Sequence, residues 1–248
     1  AQDPLDMLIP LRSGGSRAPV FCVHPVGGLS WSYSGLLRHI DRERPLYALQ
    51  ARGLRDGGEL PESIPEMAAE YIELIQRIQP SGPYNLAGWS FGGLVVHEMA
   101  TQLQNNGEEI SLLTLFDSYP MLEEEDDLGV AEAKEILADL IGQNSGLEPL
   151  SGFEGDIVAN MVAVVRNNAR LMSGFVPGKF LGDALLFVAE RTWDMRRSAS
   201  AEWDSYVSGQ VFAHPVDATH DDLMRPESIA EIGPRVADRL REINEHRK

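Results

Sequence analysis

Gly88-Trp89-Ser90-Phe91-Gly92 is the stretch of this chain whose residue types and spacing could do chemistry. A serine hydroxyl attacks a carbonyl only when a base takes its proton. A G-x-S-x-G turn between a strand and a helix lifts the hydroxyl to where a base can reach it. With 23 Gly in 248 residues a five-residue match can be accidental, so its surroundings decide. Upstream, Tyr84-Asn85-Leu86-Ala87 reads as a strand after the turn signal Pro80-Ser81-Gly82-Pro83. Downstream, Leu94, Val95, Glu98, Met99, Gln102 and Leu103 recur at helical spacing until Asn105-Asn106-Gly107. Ser90 therefore sits at a strand-turn-helix junction, with the positive end of the helix dipole behind it.

A nucleophilic serine needs an imidazole to accept and return its proton, and a carboxylate to fix the imidazole tautomer. His220, in a loop after the last strand and before the last helix, is the base this spacing favours. His97 follows Ser90 by seven residues on the same helix, about two turns away, and reads as structural. His39, His214 and His246 have no supporting context and read as surface or packing residues. Asp117, directly after the apolar run Leu112-Leu113-Thr114-Leu115-Phe116, would emerge at the carboxyl edge of a sheet, where catalytic groups of α/β proteins collect. It is preferred as the acid, with Asp194, after a later strand, as the competitor. Either choice preserves the order Ser, Asp, His of α/β-hydrolases. His24-Pro25-Val26-Gly27-Gly28, at the end of the first strand candidate, could supply an oxyanion donor. Pro25 lacks an N–H, which leaves Val26, and Phe91 N–H beside the nucleophile would be the second donor. His24 reads as a ring that anchors this loop rather than as a second base.

These groups need a scaffold. Strands are expected at 20–23, 46–50, 84–87, 112–116, 184–188 and 210–213, alternating with helices at 32–37, 64–78, 94–104 and 230–243. That alternation implies an α/β fold, a mainly parallel sheet with helices on both faces. Residues 121–179 interrupt the rhythm for roughly 60 positions, long enough to read as a functional insertion. Helices at 131–141 and 154–172 fit within it, the second with Ile157, Met161, Val164, Val165 and Asn168 on one face. A substrate-covering lid on one domain of 248 residues is the preferred reading, a pair of packing helices the alternative.

The net charge of -17, with 21 Lys and Arg against 38 Asp and Glu, argues against a nucleic-acid surface. The run Glu123-Glu124-Glu125-Asp126-Asp127 reads as a solvated loop. The single Cys22, inside an apolar run, can form no internal disulfide and fits a reducing compartment. No apolar stretch reaches the roughly 18 residues that span a bilayer, and residues 1–4 lack the pattern of a signal peptide. A cytoplasmic protein without a membrane partner is expected. No H-E-x-x-H and no strand-linked G-x-G-x-x-G are present, so neither a metal nor a cofactor is expected.

Taken together, Pro10-Leu11-Arg12, the run from Val20 through His24-Pro25-Val26-Gly27-Gly28, Gly82-Pro83-Tyr84-Asn85-Leu86-Ala87-Gly88-Trp89-Ser90-Phe91-Gly92-Gly93, Leu115-Phe116-Asp117 and Val188-Ala189-Glu190-Arg191-Thr192 resemble the type I thioesterase domains that end nonribosomal peptide synthetases. The resemblance spans nearly the whole chain and is weakest over 121–179. It implies an α/β-hydrolase fold with a lid, Ser90 as acyl acceptor, His220 as base, Asp117 as its orienting acid, and Val26 with Phe91 as the oxyanion hole. It also implies a peptidyl or depsipeptidyl substrate, delivered on the phosphopantetheine arm of an upstream peptidyl carrier domain ahead of Ala1. The isolated domain is expected to be monomeric. Release by macrocyclisation, as a macrolactone or macrolactam, is preferred over hydrolysis. The rival readings are a stand-alone editing thioesterase, a generic esterase or lipase, and an inactive hydrolase-fold binding protein.

Overall fold

The computed structural model describes residues 3–120, 128–143, 155–192 and 198–245. Seven strands form one sheet: β1 (Leu8–Arg12), β2 (Val20–Val23), β3 (Leu46–Leu49), β4 (Tyr84–Trp89), β5 (Ile110–Phe116), β6 (Ala184–Ala189) and β7 (Val211–Val216). Their order is β1-β3-β2-β4-β5-β6-β7, with β1 antiparallel to β3 and every other pairing parallel. The helices are α1 (Ile64–Gln76), α2 (Phe91–Asn105), α3 (Val130–Gln143), α4 (Gly155–Met172) and α5 (Pro226–Glu245), and 31–38 forms a 3-10 turn where a helix was expected.

Each central strand feeds two cores because successive side chains leave a strand on opposite faces. Phe21 and Val23 of β2, Leu113 and Leu115 of β5, and Leu186 and Val188 of β6 pack in the cluster that includes α1 and α2. Their neighbours Val20 and Cys22, Leu112 and Phe116, and Leu185 and Phe187 pack in the cluster that includes the 3-10 turn and α5. Burial of each large aliphatic or aromatic side chain here stabilises the fold by roughly 1.5–3 kcal/mol. A third cluster joins Ala133 and Leu137 of α3 and Met161, Val162, Val164 and Val165 of α4 to Leu29, Ala51 and Leu54 of the loops beyond β2 and β3. It covers the carboxyl side of the sheet with the two helices expected within 121–179.

The sequence pattern passed over β1. It is a five-residue edge strand, half-buried throughout, and its Pro10 has no donor for a ladder. What ties it down is Arg12, whose guanidinium donates to the carbonyls of Leu37 (3.4 Å), Ile40 (3.2 Å) and Arg44 (2.7 Å). Other shifts are at boundaries: β4 runs on to Trp89, and β7 begins one residue late and ends at Val216. The acidic run 123–127, Asp194 and His246 lie outside the described residues.

The sheet order reverses between β2 and β4: after β2 the chain goes one way to β3, which lies beside β1, and then the other way to β4, β5, β6 and β7. Such a switch leaves a crevice beyond the carboxyl ends of the two strands. The 24–28 loop and the Ser90 turn flank it.

Candidate active site

Register brings the site residues together before any side chain is considered. Trp89 pairs with Phe116 and Phe116 with Phe187, so Ser90 and Asp117 are the next residues out from adjacent strands. Ser90 N–H donates to Phe116 O (3.0 Å), and Asp117 N–H to Phe187 O (2.8 Å). Both then turn sharply, with φ of 55° at Ser90 and 45° at Asp117. Non-glycine residues held there cost of order 1–3 kcal/mol each, and the surrounding packing must impose them.

At the Ser90 turn it does. A Cβ on Gly88 would run into the carbonyl of Gly92, one on Gly92 into the carbonyls of Val23 and His24, and one on Gly93 into Ser118. The glycines thus let the first turn of α2 lie directly on the end of β2, which brings the 24–28 loop beside Ser90. Tyr33 closes this corner from the 3-10 turn: its hydroxyl donates to Val23 O (2.6 Å) and accepts from Trp89 N–H (2.8 Å).

Asp117 is buried, at 6% side-chain exposure, and satisfied on both oxygens. Oδ1 accepts from Ala189 N–H (2.9 Å) and from the Tyr119 hydroxyl (3.0 Å), and Oδ2 lies 2.6 Å from Nδ1 of His220. With donors on both oxygens the buried carboxylate is held against rotation. Burial, then the Asp117 charge, pushes the Tyr119 phenol well above its ordinary value, so it remains a donor. His220 is 34% exposed, its N–H is held by Thr192 Oγ1 (3.1 Å), and its ring tilts against Trp89 with centroids 5.8 Å apart. Ser90, Asp117, His220, Tyr119, Thr192 and Met172 line one cavity of about 340 Å³. With Nδ1 engaged by Asp117, the neutral ring keeps Nε2 as its basic nitrogen, the condition for general-base activation of a serine in that cavity.

The 24–28 loop is fixed by a buried histidine. His24 Nδ1 lies 2.7 Å from Pro25 O and Nε2 lies 2.6 Å from the Tyr71 hydroxyl of α1. Burial lowers the His24 pKa to about 4, so the ring is neutral and donates from Nδ1 to Pro25 O, and the Tyr71 hydroxyl sits between two acceptors for its one proton, Nε2 and Gln50 O (3.1 Å). Gly28 N–H adds a second bond to Pro25 O (3.0 Å). The Pro25–Val26 peptide is trans, so Val26 N–H points opposite to that pinned carbonyl. Phe91 N–H is the first of α2, where no intrahelical acceptor exists. His97, also lowered to about 4 by burial, donates Nε2–H to Tyr206 O (2.9 Å) and lies tilted against Trp203. Cys22 is buried and burial pushes its thiol up, which makes it a poor nucleophile.

Of the residues singled out in the sequence, Ser90, Asp117 and His220 share this cavity, with the Val26 loop and Phe91 adjoining it in the chain fold. Tyr33, Tyr71 and Tyr119 escaped notice, and Thr192 stood in the run 188–192 with no role of its own. Only Tyr119, two residues after Asp117, carried a local hint. Among the described residues no three His, Cys, Asp or Glu side chains gather where they could hold a metal ion, and no helix is long and apolar enough to cross a membrane.

A seven-stranded, mostly parallel sheet with helices on both faces and a strained serine at the strand-to-helix turn defines an α/β-hydrolase. The profile of the thioesterase domain family matches residues 18–236, and the chain belongs to that family. Its resemblance to the thioesterase domains of nonribosomal peptide synthetases holds over nearly its whole length. It is 38% identical over 268 residues to a dimodular nonribosomal peptide synthase of Bacillus subtilis, covering 98% of this chain and 11% of that protein. The chain spans between 3% and 11% of the length of the first curated relatives it matches. Among solved structures, the NocB thioesterase domain in covalent complex with a fluorophosphonate nocardicin G analogue is 26% identical, with a TM-score of 0.74 over 96% of this chain and 99% of that one. The thioesterase domain SrfTE, which cyclises the lipopeptide antibiotic surfactin, shares the fold at 20% identity and a TM-score of 0.73, over 96% and 97% of the two chains.

Proposed function

We propose that this chain is the releasing thioesterase domain of a nonribosomal peptide synthetase, a single domain with residues 121–179 as its lid. Ser90 accepts a peptidyl or depsipeptidyl group from the phosphopantetheine thioester of an upstream carrier domain. The observation that carries this is the 2.6 Å contact of His220 with Asp117 at the wall of the cavity that Ser90 lines.

Ser90 Oγ attacks the thioester carbonyl while His220 Nε2 takes the hydroxyl proton, and Asp117 stabilises the imidazolium through Nδ1. The negative charge moves to the carbonyl oxygen, between Val26 N–H and Phe91 N–H. Each such donor is worth about 100- to 1,000-fold in turnover. The carbon–sulfur bond then breaks, and the thiol leaves with the proton held by His220. A second nucleophile attacks the acyl-Ser90 ester, gives its proton to His220, and Ser90 is regenerated. The activated thioester supplies the chemistry, so no resident metal or cofactor is invoked.

The second nucleophile is an amine or hydroxyl of the bound chain, which gives a macrolactam or macrolactone. Water is the competing nucleophile and gives the linear acid. Support for cyclisation comes from the cover that α3 and α4 place over the carboxyl edge and from Met172 and Tyr119 at the cavity wall, which favour a folded chain over bulk water. The buried, unpaired Cys22 fits a reducing cytoplasmic setting. The test is a soluble thioester of the native peptide, with products identified by mass. Cyclic product supports the reading, and linear acid alone replaces it with hydrolytic release.

A further inference from the structure

α4 is fastened to the body through asparagine amides. Asn160 Nδ2 donates to Arg55 O (3.1 Å) and Asn167 Nδ2 to Pro61 O (2.9 Å), both in the loop between β3 and α1. The third differs in what it holds. Asn168 is 1% exposed, and its Nδ2 donates to Val26 O at 2.9 Å, across 142 residues of sequence. One turn earlier, Val164 Cγ1 lies so close to Gly28 that a Cβ there would overlap it. Gly28 also has a φ of 82°, which completes the turn of the loop and leaves room for the helix.

We infer that Asn168 is a positioning residue for the oxyanion hole and ties the placement of α4 to the geometry at Ser90. This rests on Val26 as an oxyanion donor. The two peptides on either side of the Val26 Cα are then pinned from opposite directions. His24 and Gly28 hold the carbonyl of Pro25, and Asn168 holds the carbonyl of Val26. The Val26 N–H lies in the Pro25–Val26 plane, and the Gly28 N–H bond that helps hold this plane closes a turn across the Val26–Gly27 peptide, which Asn168 fixes. With Asn168 withdrawn, the Val26–Gly27 peptide is free to rotate, the Gly28 N–H bond to Pro25 O goes with it, and the Pro25–Val26 plane can tilt its N–H off the position of the developing negative charge. A substrate that seats α4 against the body thereby also sets the oxyanion donor, and one that displaces α4 releases it. Asn168 touches neither Ser90 nor the reacting carbonyl.

The experiment compares Asn168→Leu, which keeps the volume and removes the donor, and Asn168→Asp, which sets a carboxylate against the Val26 carbonyl. Val26→Pro, which deletes the N–H itself, and Met161→Ala, a buried position on the same helix with no bond to the 24–28 loop, complete the set. Each is assayed with an acyl N-acetylcysteamine thioester and with an alkyl boronic acid, whose tetrahedral adduct on Ser90 places an oxygen in the oxyanion hole. For both Asn168 variants kcat should fall on the order of 10- to 100-fold. KM should stay within about twofold, and boronate affinity should weaken by the same factor as kcat. Met161→Ala should lower Tm and leave kcat and boronate affinity unchanged. If Val26→Pro lowers both readouts and neither Asn168 variant does, the positioning role is wrong and the oxyanion hole stands. If Val26→Pro changes neither, the oxyanion reading fails and this inference fails with it. A loss in the Asn168 variants that Met161→Ala matches at an equal fall in Tm also overturns it.

Discussion

His220 Nδ1 lies 2.6 Å from Asp117 Oδ2, a bond between residues 103 positions apart that only the parallel pairing of β5, β6 and β7 can close. Asp117 stands at the end of β5 and His220 in the loop after β7, and β6 between them donates Ala189 N–H to the other oxygen of the carboxylate. This bond engages Nδ1 and leaves Nε2 as the other ring nitrogen of a side chain that lines the same cavity as Ser90.

Replacing Asp117 with Asn keeps the size of the side chain but offers His220 an amide that can stabilise the wrong tautomer. Turnover of an acyl thioester by Asp117→Asn should drop on the order of 1,000- to 10,000-fold with little change in KM. Steady-state kinetics measure this, and a loss under tenfold would detach Asp117 from the relay.

Gly88 illustrates how the backbone of the turn is enforced. Gly88→Ala would push a methyl into the Gly92 carbonyl at the start of α2, where neither backbone can move without shifting Ser90. The variant should be destabilised by several kcal/mol, read as a fall in the denaturation midpoint, and its residual folded fraction should have little activity. Wild-type stability would show that the turn tolerates a Cβ.

Stability should depend on pH through two buried rings that are not part of the proton relay. His24 and His97 are lowered by burial from 6.5 to about 4, so the unfolded chain binds more protons than the folded one between those values. Their contribution is fully present above pH 6.5 and is lost as pH falls towards 4, by as much as about 3 kcal/mol per ring. His97→Gln, measured by urea denaturation from pH 7 to pH 4.5, should flatten the slope relative to wild type. Equal slopes would mean that His97 titrates normally in the fold.

Continuous apolar runs make β2 to β6 legible, because these strands bury both faces and punctuating turns separate them, while β7, a half-exposed edge strand, shows only in part, at 210–213. β1 stays hidden for the opposite reason: five half-buried residues with a proline among them have no pattern, and their anchor, Arg12, acts on carbonyls 25 to 32 residues away. The Ser90 turn was readable since glycine at 88 and 92 is a local steric requirement. The choice of Asp117 over Asp194 was only a preference in sequence. Register now gives Asp117 its contact with His220, whereas Asp194 lies outside the described residues. Tyr33, Tyr71 and Asn168 look like ordinary core residues in sequence because their partners come from other elements.

Met172, at the end of α4, lines the cavity with Ser90 and His220. Shortening it widens the space available to water beside the acyl-enzyme. Met172→Ala should raise the ratio of linear acid to cyclic product by several-fold with the native peptidyl thioester, quantified by liquid chromatography and mass spectrometry. An unchanged ratio would remove Met172 from the control of product outcome.

The central claim is that the acyl group rests on Ser90. A native peptidyl thioester mixed with the protein, quenched in acid within a single turnover and digested, should place the peptidyl mass on Ser90 and nowhere else. Ser90→Ala should carry no adduct and release no product. An adduct on another residue, or release by Ser90→Ala at the wild-type rate, would contradict the account.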